Sequence, residues 1–243
     1  MSVYLGIDAG TQSVKVIAYD AAARTVLAQQ ARPLELSATA DGGREQNAAD
    51  WVKALVEAIQ ALPGPVRAQV RGLAVSGQQH GFVPLGRDNR ALGPVKLWCD
   101  TSTSAECEDI TATLGGAAAC IAEAGNDLRV GYTASKLRWT RQHRPEVDAA
   151  LDGIALPHDY LNLWLTGQRF MEAGDASGTG WPAVRRRDCS PAMLAATADR
   201  RDLAALLPPL IGPAHGFSLL PALAALLGLP ADTPAASRAR PPT

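Results

Sequence analysis

The sequence is short of cysteine: it holds four, Cys99, Cys107, Cys120 and Cys189, none of them in a C-x-x-C pair and none accompanied by His-x-x-x-His. Spacing therefore indicates neither a zinc site nor a redox dithiol, and reduced thiols in a cytoplasmic protein are the plain reading. An excess of charge of one sign is missing too. With 23 Lys and Arg against 24 Asp and Glu the net charge is -1, which offers no electrostatic attraction to nucleic acid or to an anionic membrane. There is no basic-then-apolar leader, and the apolar run "LPALAALLGL" at 220–229 is too short and too proline-bounded to span a bilayer. What is present is a 47% apolar fraction over 243 residues, enough to bury a sizeable core. A small-molecule site is the expectation.

The first third alternates like a sheet. "SVYLGID", "SVKVIAYD" and "TVLAQQARPLEL" read as three strands joined by short turns, an antiparallel meander. In "NAADWVKALVEAIQAL", Trp51, Leu55, Ile59 and Leu62 recur at helical spacing, with Asn47 placed to cap the start and Pro63-Gly64-Pro65 to stop it. A buried strand, a polar turn and a second strand follow over 70–85, then a strand over 94–100 and helices over 102–114, 133–143 and 157–166, the last closed by Gly167. The order predicts an α/β domain with a mixed sheet and helices on both faces. From residue 229 onward "LPADTPAASRARPPT" holds few core-forming residues, and a disordered or poorly packed tail is expected there.

The turn between the first two strands is Asp8-Ala9-Gly10-Thr11-Gln12-Ser13. Such a turn serves as an ordinary hairpin bend, or it aims backbone N–H groups and two hydroxyls at an anion. Gly10 would permit the close approach and the unusual φ of an anion nest. Asp8 would repel a phosphate directly, so its chemistry is to hold Mg²⁺ through water, while Lys15 adds positive charge from the same side of the second strand. Pattern alone leaves both readings open.

"GIDAGTQSVK" resembles the first phosphate loop of the actin and sugar kinase superfamily, whose domains have a ribonuclease-H-like core beginning with such a meander. Five further segments resemble the FGGY carbohydrate kinases, in the right order and over about residues 3–230: "REQNAADWVKALVEAI", "VSGQQHGFVPL", "LWCDTSTSAEC", "GYTASKLRW", and "LPHDYLNLWLTG" with "DASGTGW". The Gly-Gln-x-His-Gly pattern of the second is typical of the family's xylulokinases. Thr140 departs from the usual aliphatic residue, a change that bears on helix packing. The resemblance implies an ATP-dependent kinase whose small-molecule substrate is D-xylulose. It implies Asp8 as the Mg²⁺-associated catalytic carboxylate, Gly10, Thr11, Gln12, Ser13 and Lys15 at the phosphates of ATP, and Gln79 and His80 on the ketose. Other sugars or polyols of the family (ribulose, gluconate, glycerol) and a non-catalytic sugar-binding domain are the alternatives.

The resemblance further implies a domain plan: residues 1–228 as the N-terminal sugar-binding domain, 229–243 as an atypical tail, and a nucleotide-binding second domain absent from the chain. The family's catalytic base, an aspartate in a Gly-Gly-Gly-Asp-Asn-like segment, would begin where this sequence reads "SRARPPT". A truncation or frameshift at that junction, an inactive isolated chain, and self-association as a homodimer through the apolar surface left bare are the expectations. Of the remaining candidates, Trp98 and Asp100 either line the cleft or support it, and Asp175 sits in a stretch that suits a family loop and a generic turn equally. Lys136 and Trp139 are read as a surface charge and a core anchor, His143, His158 and His215 as structural, and "RRRD" at 185–188 as a solvated face.

Overall fold

The computed structural model describes residues 2–198, 202–212 and 215–236. A six-stranded mixed sheet organises it. Strands β1 (Val3–Ala9), β2 (Ser13–Asp20) and β3 (Thr25–Pro33) form the meander, β4 is Val70–Gly77, β5 is Gly216–Ser218 and β6 is Pro234–Ala236. Their order is β5-β6-β4-β1-β2-β3, with β1 parallel to β4, β4 parallel to β6, and the other pairs antiparallel. The main helices are α1 (Ala48–Gln60), α2 (Ser104–Thr113), α3 (Thr133–His143), α4 (Pro157–Thr166) and α5 (Pro221–Leu227).

Alternation decides which face of the sheet is covered. Val3, Leu5, Ile7 and Ala9 of β1 and Val14, Val16 and Ala18 of β2 are buried against α1, whose Trp51, Leu55, Ala58 and Ile59 form its inner stripe. Each valine, leucine or isoleucine among them contributes about 1.5–3 kcal/mol by leaving water. Helices α4 and α5 join α1 in the same core. The α/β arrangement of a mixed sheet with packed helices is the one expected, and among the described residues these three helices share one core. The opposite face, carrying Gly6, Asp8, Lys15 and Ile17, floors a cavity instead. A second apolar cluster around Phe82, Ile110, Leu137, Ile154 and Trp181 builds a smaller helical layer from α2, α3 and their neighbours.

The helix expected between Asn47 and Pro63 is α1, those expected over 133–143 and 157–166 are present, the one expected over 102–114 spans Ser104–Thr113, and Gly167 ends α4 in the left-handed region at φ 71°. Three local readings are corrected. Asn47 occupies the N-cap position of α1, but its side chain makes no capping hydrogen bond. The expected strand over 94–100 is only Val95–Lys96, because the segment then turns so that Asp100 Oδ1 accepts from the Ser102 N–H at 3.0 Å and Oδ2 from the Arg44 N–H at 2.8 Å. The expected poor packing from residue 229 fails for 229–236: Leu229, Thr233 and Ala235 are buried, and β6 pairs with β4 inside the sheet. Parallel pairing supplies there the stability that the small alanine side chains lack. Residues 237–243 lie outside the described residues.

Candidate active site

The open sheet face and the start of α4 enclose a cavity of about 520 Å³. Strand register brings its polar groups together. Asp8 stands opposite Lys15 on one side and Ser76 on the other, and the two-residue period of a strand points all three side chains away from the α1 core. Gln79, His158, Glu172 and Asp175 complete the polar wall. Of the candidates named from sequence, Asp8, Lys15 and Gln79 thus share one space. Gly10, Thr11, Gln12 and Ser13 form the turn beyond it and do not line it.

That turn is closed by its own bonds. The Gly10 N–H donates to the Ser13 carbonyl at 3.0 Å, and Leu34 N–H donates to the Gln12 carbonyl at 2.9 Å. Gly10 is not among the residues with positive φ, and a β-carbon there would lie 3.6 Å from the Ser13 carbonyl, an ordinary contact. The expected left-handed nest at Gly10 is therefore corrected: its N–H already has a partner and its backbone is one that any residue adopts.

A buried amide ties this turn to the rest of the site. Gln46 Nε2 donates to the Thr11 carbonyl at 2.8 Å and the Glu35 carbonyl at 2.9 Å, while its Oε1 accepts from Trp51 Nε1 and Gln78 Nε2, each at 3.0 Å. All four hydrogen-bonding positions of the amide are filled. Thr11 Oγ1 donates to Gln78 Oε1 at 3.2 Å and accepts from Trp98 Nε1 at 3.0 Å. The spacing Gln46…Trp51 in the sequence is thus the spacing of one hub and one of its donors. Trp98 is 49% exposed, so it is not core, and Asp100 is fully buried as a loop anchor rather than a cleft residue.

His80 is held from every side. Its φ of 62° is left-handed, a conformation that costs about 1–3 kcal/mol at a non-glycine residue unless its surroundings impose it. Here its carbonyl accepts from Lys136 Nζ at 2.8 Å and Thr133 Oγ1 at 3.2 Å. Its ring meets Tyr132 edge-on at 4.9 Å and lies so close over Gly178 that no β-carbon fits there. Burial lowers its pKa to about 4, against an opposing pull from Asp175. The ring is neutral at pH 7, one nitrogen donating and one accepting, which suits sugar hydroxyls.

His158, read from sequence as structural, lies in the cavity wall. Nε2 is 3.0 Å from Asp159 Oδ1 and Nδ1 is 3.0 Å from Asp175 Oδ2. Burial lowers its pKa, but Asp159, Asp175 and Glu172 outweigh burial and raise it to about 9. Burial in turn raises the pKa of Asp159, with His158 opposing. These are ion-pair contacts rather than well-aligned hydrogen bonds, since both Asp159 oxygens and Asp175 Oδ2 lack a hydrogen-bond partner among the described residues. Asp175 thus belongs to the site and not to a generic turn. No sequence periodicity marks His158, because α4 is buried almost all round.

Lys136, read as a surface charge, is fully buried. A usable signal was present: Thr133, Lys136, Leu137 and Thr140 follow one helical face, and all four are buried. Trp139 is partly buried under Lys96 Nζ, 3.8 Å from its ring centroid, and the arginines of 185–188 are exposed as expected. The site also meets the requirements of hydrated Mg²⁺. Asp8 is an exposed carboxylate with no ion pair among the described residues, and no three His, Cys, Asp or Glu there converge as a direct metal cage. Magnesium keeps most of its waters and takes one or two carboxylates beside substrate phosphates.

The geometry has close counterparts. The chain is 38% identical over 234 residues to the xylulose kinase of Haemophilus influenzae, covering 93% of this chain and 48% of that protein. A crystal structure of a "xyloylose kinase" from Brucella ovis matches with a TM-score of 0.88 at 34% identity, over 97% of this chain and 48% of that one. A gluconate kinase from Lactobacillus acidophilus matches with a TM-score of 0.87 at 22% identity, over 97% of this chain and 47% of that one, a likeness of fold alone. The α/β fold that the family resemblance implies is shared with these sugar kinases. The chain spans about half the length of the curated relatives it matches. A model of the N-terminal domain of FGGY carbohydrate kinases matches residues 3–240, and the chain belongs to that family.

Proposed function

We propose that the chain supplies the sugar- and phosphate-binding half of an ATP-dependent D-xylulose kinase, which moves the γ-phosphoryl group of ATP to the terminal hydroxyl of the ketose. The observation that supports it most is the shared cavity, where Asp8, Lys15 and Gln79 open on one space; His80, the next residue in the chain, does not line it but is fixed and neutral. In this reading Gln79 and His80 grip the sugar hydroxyls, and the open indole face of Trp98 offers an apolar surface beside them. Lys15 and the Thr11-Gln12-Ser13 turn receive the phosphates, and Asp8 orients the water shell of Mg²⁺. When bound, Mg²⁺ neutralises charge on the transferred group.

In the transfer the sugar hydroxyl oxygen bonds to the γ-phosphorus, the bond from that phosphorus to the β,γ-bridging oxygen breaks, ADP leaves, and the hydroxyl proton passes to a base. Family resemblance assigns the base to an aspartate in the half of the relatives that this chain does not span. The 243 residues assayed alone are therefore expected to bind sugar and to give little turnover. Calorimetry with D-xylulose, ribulose, gluconate and glycerol tests the substrate: D-xylulose binds best, and His80→Ala weakens it. Preference for gluconate or glycerol would move the chain to another branch of the family, and failure to bind any of the four would remove the reading. Robust ADP release by these 243 residues alone would place a working base within them.

A further inference from the structure

Lys136 is a buried cation on α3 with no carboxylate in ion-pair contact among the described residues. Burial lowers its pKa to about 7, against an opposing pull from Asp100. Such a group is costly to keep unless its donors are in use, and two of them are. Lys136 Nζ donates to the His80 carbonyl at 2.8 Å and to the Gly131 carbonyl at 2.5 Å. The first carbonyl belongs to the one residue of the 77–81 segment with positive φ. The second belongs to a loop whose Gly131 packs on the Trp98 carbonyl so closely that a β-carbon would lie 2.5 Å from it. The same loop carries Tyr132, which faces the His80 ring. One side-chain nitrogen thus ties the His80 carbonyl to the 131–132 loop, beyond the single Phe82–Lys96 bridge that joins the neighbouring backbone.

We infer that Lys136 is a positioning residue for sugar recognition: it holds His80 in its left-handed conformation and fixes the distance between the Gln79-His80 segment and the wall carrying Trp98 and Tyr132. The inference rests on the proposed sugar site and adds to it a residue that touches no substrate. A neutral amine still carries two N–H donors, enough for both carbonyls, so the role belongs to donation rather than to charge. A methionine of similar length retains the packing and loses the donors, leaving the Gly131 carbonyl without this partner and the His80 carbonyl held by the Thr133 hydroxyl alone.

The test is calorimetry on the 243-residue chain with D-xylulose, with inorganic phosphate titrated separately and thermal melting run alongside. Lys136→Met is expected to weaken D-xylulose at least tenfold and to leave phosphate affinity within twofold, whereas Lys136→Gln, which retains a shorter donor, falls between. In a His80→Ala background Lys136→Met is expected to cost less sugar affinity than in the unmutated chain, because only the placing of Gln79 remains to be lost. If Lys136→Met does not fold, Thr133→Val, which removes the second donor to the His80 carbonyl, is expected to weaken sugar about threefold. Unchanged D-xylulose affinity in a folded variant, or equal losses of sugar and phosphate, would overturn the inference. If the unmutated chain binds no D-xylulose, the proposed function fails instead, so the two failures are distinguishable.

Discussion

Gly178→Ala puts the fixed position of His80 to a direct test. The added β-carbon would overlap Nε2, Cδ2 and Cε1 of the His80 ring. Residue 178 cannot retreat easily, because it lies buried in the 3-10 turn Ser177–Thr179, where Thr179 Oγ1 donates to the Ala176 carbonyl at 2.7 Å. The ring must therefore swing away from Tyr132. Overpacking of this kind costs about 1–3 kcal/mol of stability. On the proposed sugar reading a displaced ring would also forfeit a hydrogen bond to the sugar, roughly 0.5–1.5 kcal/mol net, or a two- to thirteen-fold rise in Kd. Calorimetric titration with D-xylulose and urea unfolding read the two quantities separately. In a His80→Ala background the clash has no partner, so Gly178→Ala is expected to change neither much. Simple additivity of the two substitutions in both assays would refute the reasoning, because residues in contact must couple.

Two further outcomes follow from the packing and from the buried charges. Trp181→Ala, at a fully buried ring whose Nε1 donates to Thr197 Oγ1 at 3.2 Å, is expected to lose about 3–5 kcal/mol in urea unfolding, as large-to-small changes at buried aromatics do. The raised pKa of His158, about 9 against 6.5, gives stability that is complete below pH 6.5 and lost as pH rises through 9. Lys136, lowered to about 7, acts oppositely as pH climbs toward 10.5, so the His158 part is read as the difference between the unmutated chain and His158→Gln. That difference shrinks from pH 6 to pH 10, and a constant difference would remove the ion pairs from the account.

The meander, the four helices and the first half of the site were legible because they rest on local periodicity and on turn chemistry. Asp8 and Lys15 reached the same face through strand alternation alone, which any β-hairpin of that register imposes. The residues that escaped are those whose surroundings are not local. His158 sits on a helix buried almost all round, so no polar face singled it out. Lys136 followed the buried face of its helix by spacing, yet a lysine there was read by its usual preference for water rather than by its position. Strand β6 was missed because "TPAA" has little strand propensity; its place comes from parallel pairing with β4, a partner more than 150 residues earlier.

The turn at Gly10 shows how a glycine's structural and functional roles separate. Its φ is not left-handed, and a β-carbon would make only an ordinary contact at 3.6 Å, so the fold does not require glycine there. Its N–H closes the turn in any residue type. A glycine that the backbone does not need accords with the proposed reading, in which a phosphate beside Lys15 would come close to this turn. Gly10→Ala is accordingly expected to shift stability by less than about 0.5 kcal/mol, the range of substitutions that touch nothing, while weakening inorganic phosphate in a direct titration. Loss of stability instead would mean that the turn needs glycine for its own conformation. Unchanged phosphate binding would take Gly10 out of the site and leave Lys15 and the Thr11-Gln12-Ser13 turn to hold the anion.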